Sequence, residues 1–228
     1  MHVQNRASLA SFDVSPTKAR SVQWQFYRGG LKRVLDLSLV LITLPLTLPM
    51  LGLLAVLIRW SERAPAFYAH ERIGRNGRRF RCWKLRTMVP QADRVLERHL
   101  ASDPVAAKEW EDRRKLAEDP RVTRLGRVLR CSSLDELPQL LNVVRGEMSL
   151  VGPRPLTPEE VRRYGADADH YCSVLPGITG LWQVEGRNGL RFRERIAFDV
   201  AYASAVSPDL DLKILWRTIW VVLARSGV

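Results

Sequence analysis

The sequence predicts a mostly helical α+β protein: a broken apolar membrane helix, then a small cytoplasmic domain with a β-hairpin and interfacial amphipathic helices. Three observations lead there. Leu37 to Ile58 carries no charged residue, and such a run would be roughly 33 Å long as a helix, against a bilayer core of about 30 Å. Asn76-Gly77 stands between two short extended runs, a hairpin signal because a type I′ turn needs positive φ at both positions. Beyond it, Asp103-Pro104, Asp119-Pro120 and Pro208 punctuate the chain as helix starts and stops.

The chain has 228 residues, 46% of them hydrophobic, enough for one packed domain and an appendage. Its net charge of +12 calls for an anionic partner. Nucleic acid, acidic lipid headgroups and phosphorylated substrates all fit that sign. Cys82, Cys131 and Cys172 form no CxxC pair, which excludes a disulfide framework and a cysteine zinc site and suits a reducing compartment. His2, His70, His99 and His170 are equally scattered. Ala64-Pro65-Ala66 mimics a cleavage site, but the apolar run before it is too long and begins too far in for a signal peptide.

Residues 1–28 read as a flexible polar tail, with Trp24, Phe26 and Tyr27 able to lie on a membrane. In the apolar run, Pro45 frees the carbonyl of Leu41 and Pro49 that of Pro45, so the helix should bend near its centre. Thr43 and Thr47 offer hydroxyls to the stranded carbonyls. Arg28, Lys32 and Arg33 precede the run, and Arg59 and Arg63 follow it. Basic residues at both ends favour the cytoplasm for each. Two readings stay open: a bent helix that returns to its own side, and a straight kinked span. Asp36 falls at headgroup depth, within reach of Lys32 or Arg33.

The hairpin is expected over Ala66–Ile73 and Arg79–Leu85, with Phe80, Cys82 and Lys84 on one face and Arg79, Arg81 and Trp83 on the other. It is either a charged edge or an anion-facing ribbon. Helices follow at about Gln91–Leu100, from Asp103-Pro104 to about Leu116, at Phe192–Ala205 and at Asp211–Ala224. The last one sets Lys213 and Arg217 beside Trp216 and Trp220, which suits either an interface or a core edge.

Ser132 to Pro155 is the stretch most suggestive of chemistry. Asp135 and Glu136 are adjacent acids. Ser133 and Glu136 fit a capping box, but Pro138 would then break the helix it caps. A helix that starts with Pro138 leaves both acids just outside its positive end. Gly152-Pro153-Arg154-Pro155 holds one arginine between two fixed φ angles, so its guanidinium is preset to grip a phosphate. Pro176-Gly177-Ile178-Thr179-Gly180-Leu181-Trp182-Gln183 and Gly186-Arg187-Asn188-Gly189 read as loops whose backbone approaches something closely, without the spacing of a common nucleotide loop.

HERIGRNGRRFRCWKLRTM, DPRVTRLGRVLRCSSLDELPQLLNVVRGEMSLVGPRPL and LPGITGLWQVEGRN, in this order, resemble the signature blocks of the bacterial sugar transferases, the monotopic phosphoglycosyl transferases. The likeness covers about Lys32 onward. It is nearest to the short members that prime exopolysaccharide synthesis, without the four-helix N-terminal membrane region of larger ones. It implies a re-entrant membrane helix over 29–63 and a catalytic domain over 64–228 at the membrane interface. Pro49 matches the proline of the family's Ser-Pro break, with Leu48 in the serine's place and Pro45 an addition.

The resemblance also implies a reaction: a hexose-1-phosphate, galactose or glucose, passes from a UDP-sugar to undecaprenyl phosphate with release of UMP. Asp135 and Glu136 match the family's catalytic pair, which also holds Mg²⁺, with Asp135 as nucleophile through a covalent phospho-sugar intermediate. Lys84, Arg86 and Arg154 match its phosphate-binding residues. The implied location is the cytoplasmic face of a bacterial inner membrane, among its lipids, with no nucleic acid as partner and with room for a homodimer. The rival is a non-enzymatic, membrane-anchored basic module that binds nucleic acid or acidic lipid. It leaves the acidic pair and the clamped arginine without a role.

Overall fold

The computed structural model describes residues 26–113, 116–185 and 190–224. Trp24 and the Gly186–Gly189 segment lie outside the described residues. A π-helical turn, Tyr27–Leu31, leads into helix α1, Lys32–Glu62, and Arg63 ends it in the left-handed conformation. Pro45 and Pro49 both lie inside α1. The stretch Tyr27–Glu62 is long and apolar enough to cross a membrane. Leu41, Ile42, Leu46 and Leu48 are exposed around the prolines. The threonines do not serve the carbonyls that the prolines free. Thr43 Oγ1 donates to Leu39 and Val40, and Thr47 Oγ1 to Leu44. An hydroxyl in a helix reaches its own preceding turn first.

Strands β1 (Phe67–Ile73) and β2 (Arg79–Leu85) pair antiparallel, Phe67 opposite Leu85 and Ile73 opposite Arg79. Asn76 and Gly77 have φ of 59° and 70°, as their turn chemistry requires. The connection is wider than a two-residue turn, closed by Gly74 N–H to the Arg78 carbonyl. Phe80 and Cys82 face the core, Arg79 pairs with Glu71, and the Arg81 guanidinium lies over the Trp83 ring.

Helices α2 (Ala92–Ser102) and α3 (Pro104–Arg113) follow, the second capped by Asp103 Oδ1 on the N–H groups of Val105 and Ala106. Helix α4 (Arg124–Cys131) is capped by Thr123. Its Gly126 lies against β2's continuation so closely that a Cβ there would stand 2.1 Å from the Thr87 carbonyl oxygen. Helix α5 spans Gln139–Arg145 and strand β3 Ser149–Val151. Helices α6 (Pro158–Tyr164) and α7 (Ala168–Cys172) come next, the first with a full capping box on Thr157 and Glu160.

The Pro176–Gln183 stretch, expected as loop, forms strand β4 (Gly177–Thr179), parallel to β3, and helix α8 (Leu181–Glu185). The close backbone approach expected there is internal. Cβ atoms on Gly177 and Gly180 would sit 2.1 and 2.3 Å from the Gly152 backbone. Helix α9 (Phe192–Ala205) has the predicted bounds, and α10 (Pro208–Leu223) starts three residues earlier than expected, capped by Ser207.

The N-terminal stretch of this helical run is sewn into the domain. Tyr27, expected in the tail, is buried and donates its hydroxyl to Asp211, which also accepts from Tyr202 and pairs with Lys32. Asp36 is not paired with Lys32 or Arg33. It is 3% exposed and accepts the Leu150 N–H, while Arg33 caps the Val143 and Val144 carbonyls. Farther along, Val40 joins the core of Phe80, Cys82, Val143 and Met148. Leu54 and Ile58 join Leu85 and Leu129. Helix α10 has Leu210 and Ile214 in the core, as a core-edge helix would, and leaves Leu212, Trp216, Ile219, Trp220 and Leu223 exposed.

Candidate active site

Between α4 and α5 the chain turns sharply. Ser133 adopts φ 56°, a left-handed conformation that costs a non-glycine residue energy. Its side chain caps nothing, so the capping-box alternative falls. The turn throws Leu134–Glu136 into one 3₁₀ turn directly ahead of Pro138 and α5. Asp135 and Glu136 therefore stand at a helix start, as the proline placement predicted.

Lys84 arrives from β2, on the face shared with Phe80 and Cys82. Its Nζ lies 2.6 Å from Glu136 Oε1 and 3.9 Å from Asp135 Oδ2. The buried Gln139 side chain also favours the ionised form of Glu136. Burial pushes the Asp135 carboxyl above the ordinary carboxylate range. Lys84, Arg130 and Arg154 pull it back, and the Glu136 charge adds to the rise. Burial acts on Glu136 too, but Lys84, Arg154 and Gln139 outweigh it, so Glu136 is held below its ordinary value. One acid of the pair is thus fixed as an anion and the other is left poised.

A pocket opens beside them, lined among others by Lys84, Glu136, Arg154 and Pro155. Arg154 is exposed on its Pro-Arg-Pro bracket. Sequence reading missed Arg72, Cys82 and Gln139 as further lining residues. Arg72 donates to the Pro155 carbonyl and to Glu160, each at 3.2 Å, and so braces the bracket that presents Arg154. Burial and Arg154 both lower its affinity for a proton, the signature of crowded cations. The one available signal was parity: Arg72 lies opposite Phe80 in the hairpin. Arg86 does not line this pocket. Its Nε donates to the Pro65 carbonyl at 2.7 Å, and its guanidinium lies over the Tyr68 ring, at the exit of α1. Arg130, also unanticipated, is tied to Thr87 Oγ1 at 3.0 Å and acts on Asp135 through its charge.

Among the described residues no three His, Cys, Asp or Glu side chains gather as a metal cage. Two adjacent carboxylates are nevertheless what Mg²⁺ takes from a protein when substrate phosphates and water supply its other ligands. The pair fits that ion.

An acidic pair faced by several cations is an arrangement suited to chemistry on a phosphorylated compound. The chain belongs to the bacterial sugar transferase family, whose sequence profile matches residues 27–225. It is 51% identical over 197 residues to the UDP-galactose-lipid carrier transferase of Erwinia amylovora, covering 86% of this chain and 41% of that protein. It is 46% identical over 200 residues to the exopolysaccharide production protein ExoY of Sinorhizobium fredii, covering 87% and 88% respectively. With the undecaprenyl-phosphate galactose phosphotransferase of Salmonella typhimurium it shares 45% identity over 197 residues, 86% of this chain and 41% of that one. The chain thus spans about two-fifths of the length of two of these relatives and most of the third. Membership sets the non-enzymatic basic module aside.

Proposed function

We propose that this protein is a phosphoglycosyl transferase that moves a hexose-1-phosphate from a UDP-sugar to undecaprenyl phosphate, the priming step of exopolysaccharide synthesis. The observation that carries this reading is the convergence of Glu136, Lys84 and Arg154 on one pocket, with Asp135 next to it, 3.9 Å from Lys84 Nζ. The relatives, a UDP-galactose-lipid carrier transferase and an undecaprenyl-phosphate galactose phosphotransferase among them, support the same acceptor and group.

In the mechanism, a UDP-sugar diphosphate lies against Arg154, Arg72 and Lys84. An Asp135 carboxylate oxygen attacks the phosphorus next to the sugar. The bond from that phosphorus to the bridging oxygen breaks, and UMP leaves with the electron pair. The enzyme now carries an acyl phosphate bearing the sugar. A phosphate oxygen of the lipid then attacks the same phosphorus, and the Asp135 carboxylate departs. Arg130, Lys84 and Arg154 favour the anionic nucleophile and offset the charge that builds on the phosphoryl oxygens. Mg²⁺ held by Asp135 and Glu136 would neutralise diphosphate charge. Arg86, at the exit of α1, suits the acceptor phosphate rather than the donor.

The membrane helix belongs to the same reading as a re-entrant element. Val40 and Ile58 would be roughly 27 Å apart on a straight helix. They pack into clusters that contain Phe80 and Leu85, and β2 covers only roughly 17 Å between those residues. We infer a bend near Pro45–Pro49 from this shortfall together with the two prolines inside the helix. It puts both helix ends on the cytoplasmic face of the inner membrane and holds the pocket at headgroup depth, with the exposed Trp216 and Trp220 at the interface.

The test is a screen of purified protein with undecaprenyl phosphate and Mg²⁺ across UDP-sugars. Release of UMP with one hexose donor is expected. No release with any UDP-sugar would contradict the reading.

A further inference from the structure

Asn142 is a fully buried polar side chain that the chemistry above does not use. It is 0% exposed and sits in the middle of α5. Strand β2 is paired to β1 along one edge only, so Trp83 N–H and the Arg81 carbonyl on its other edge need partners inside the protein. Asn142 supplies both. Its Oδ1 accepts the Trp83 N–H at 3.0 Å, and its Nδ2 donates to the Arg81 carbonyl at 2.7 Å. The second Nδ2 hydrogen goes to Glu147 Oε2 at 2.6 Å. A carboxamide carries one acceptor and one donor group in the arrangement of a peptide unit, so a single side chain completes the sheet edge as a strand would.

The position of this clamp ties it to the site. The residue after Trp83 is Lys84. Helix α5 begins directly after the turn that carries Asp135 and Glu136, and Gln139, one turn before Asn142, lines the same pocket as Glu136. Helix α5 therefore bears on both partners of one ion pair: on Glu136 through the turn that runs straight into the helix, and on the Lys84 backbone through Asn142. Lys84 stands 2.6 Å from one carboxylate and 3.9 Å from the other. A slip of the strand by about an ångström would let it pair with either, and misplacements of that size change rates by up to about a hundredfold.

We infer that Asn142 is a positioning residue for phosphoryl transfer: it pins the edge of β2 so that Lys84 pairs with Glu136 and the Asp135 carboxylate stays unblocked for attack. This inference deepens the proposed function and rests on it.

The test uses Asn142→Asp, which keeps the shape and the acceptor for Trp83 N–H but removes both donors and sets a carboxylate against Glu147. The double variant Asn142→Asp with Glu147→Gln removes that repulsion while still lacking the Arg81 bond, and covers a failure of the single variant to fold. Two readouts are taken on the full-length protein. The acetylation rate of Lys84, measured by peptide mass spectrometry against Lys213, is expected to rise by about tenfold as the ion pair loosens. The kcat for UMP release is expected to fall by between about tenfold and a hundredfold, with the donor KM within about twofold of wild type. Unchanged Lys84 reactivity in the folded variants overturns the inference, as does raised reactivity with unchanged kcat. A wild type that releases UMP from no UDP-sugar overturns the proposed function and the catalytic half of this inference with it. The Lys84 readout still decides the geometric half.

Discussion

Lys84 Nζ sits 2.6 Å from Glu136 Oε1 and 3.9 Å from Asp135 Oδ2, so one cation distinguishes two neighbouring carboxylates. The closer acid is held ionised. The farther one is raised by burial and restrained by Lys84, Arg130 and Arg154. A carboxylate that attacks phosphorus has to be deprotonated but not buried under a salt bridge. The asymmetry supplies both conditions.

The pH dependence of the donor half-reaction follows. Asp135 must lose its proton to attack, so the rate rises with pH through a group titrating above the ordinary carboxylate range. Lys84 lowers that titration. Lys84→Met therefore moves the acid limb of the UMP-release profile to higher pH and lowers the rate by about a hundredfold or more at neutral pH. An acid limb that stays in place in the variant would count against Lys84 as the group that restrains Asp135.

Asp199 gives a stability prediction independent of catalysis. Burial pushes its carboxyl up to about 7, against the Tyr164 hydrogen bond and the Arg154 and Arg195 charges. The folded protein then holds a proton that the unfolded chain releases near its ordinary value. The contribution is therefore fully present below about pH 4 and is lost as pH rises through about 7. Asp199→Asn keeps an acceptor for the Tyr164 hydroxyl and removes the buried charge. Above neutral pH it should raise Tm relative to wild type, by a free energy of up to roughly 4 kcal/mol. Thermal melts at acidic and alkaline pH check this: an equal Tm difference at both would refute the assignment.

The re-entrant reading of α1 predicts its topology. Leu31→Cys and Glu62→Cys, in a background without Cys131 and Cys172, should both react with a membrane-impermeant thiol reagent added from the cytoplasmic side of inverted vesicles. Labelling of the two positions from opposite sides would establish a straight span.

Much of this was readable because the signals were local. Asn76-Gly77 demanded positive φ, and the strands around it follow. Phe192–Ala205 is bounded by a start and a proline beyond its end, and Pro138 placed the acidic pair at a helix start. What stayed hidden depends on long-range contacts. Helix α4 stayed hidden in a basic stretch of mixed period, where Gly126 lets the helix approach the Thr87 carbonyl. The parallel β3–β4 pair is only three residues long on each side, and its glycines serve mutual backbone contact rather than a ligand. Tyr27 left the tail for the core because Asp211, far along the chain, accepts its hydroxyl. The same holds at the site. Asp135, Glu136, Lys84 and Arg154 converge as their residue types suggested, while Arg72 and Asn142 gain meaning only from their partners.

Covalent capture at Asp135 is the most direct measurement. Wild-type protein incubated with Mg²⁺ and a radiolabelled UDP-hexose, without lipid acceptor, should retain label on the peptide that contains Asp135, and adding undecaprenyl phosphate should discharge it. Asp135→Asn should retain none. Equal label on wild type and Asp135→Asn would contradict the account.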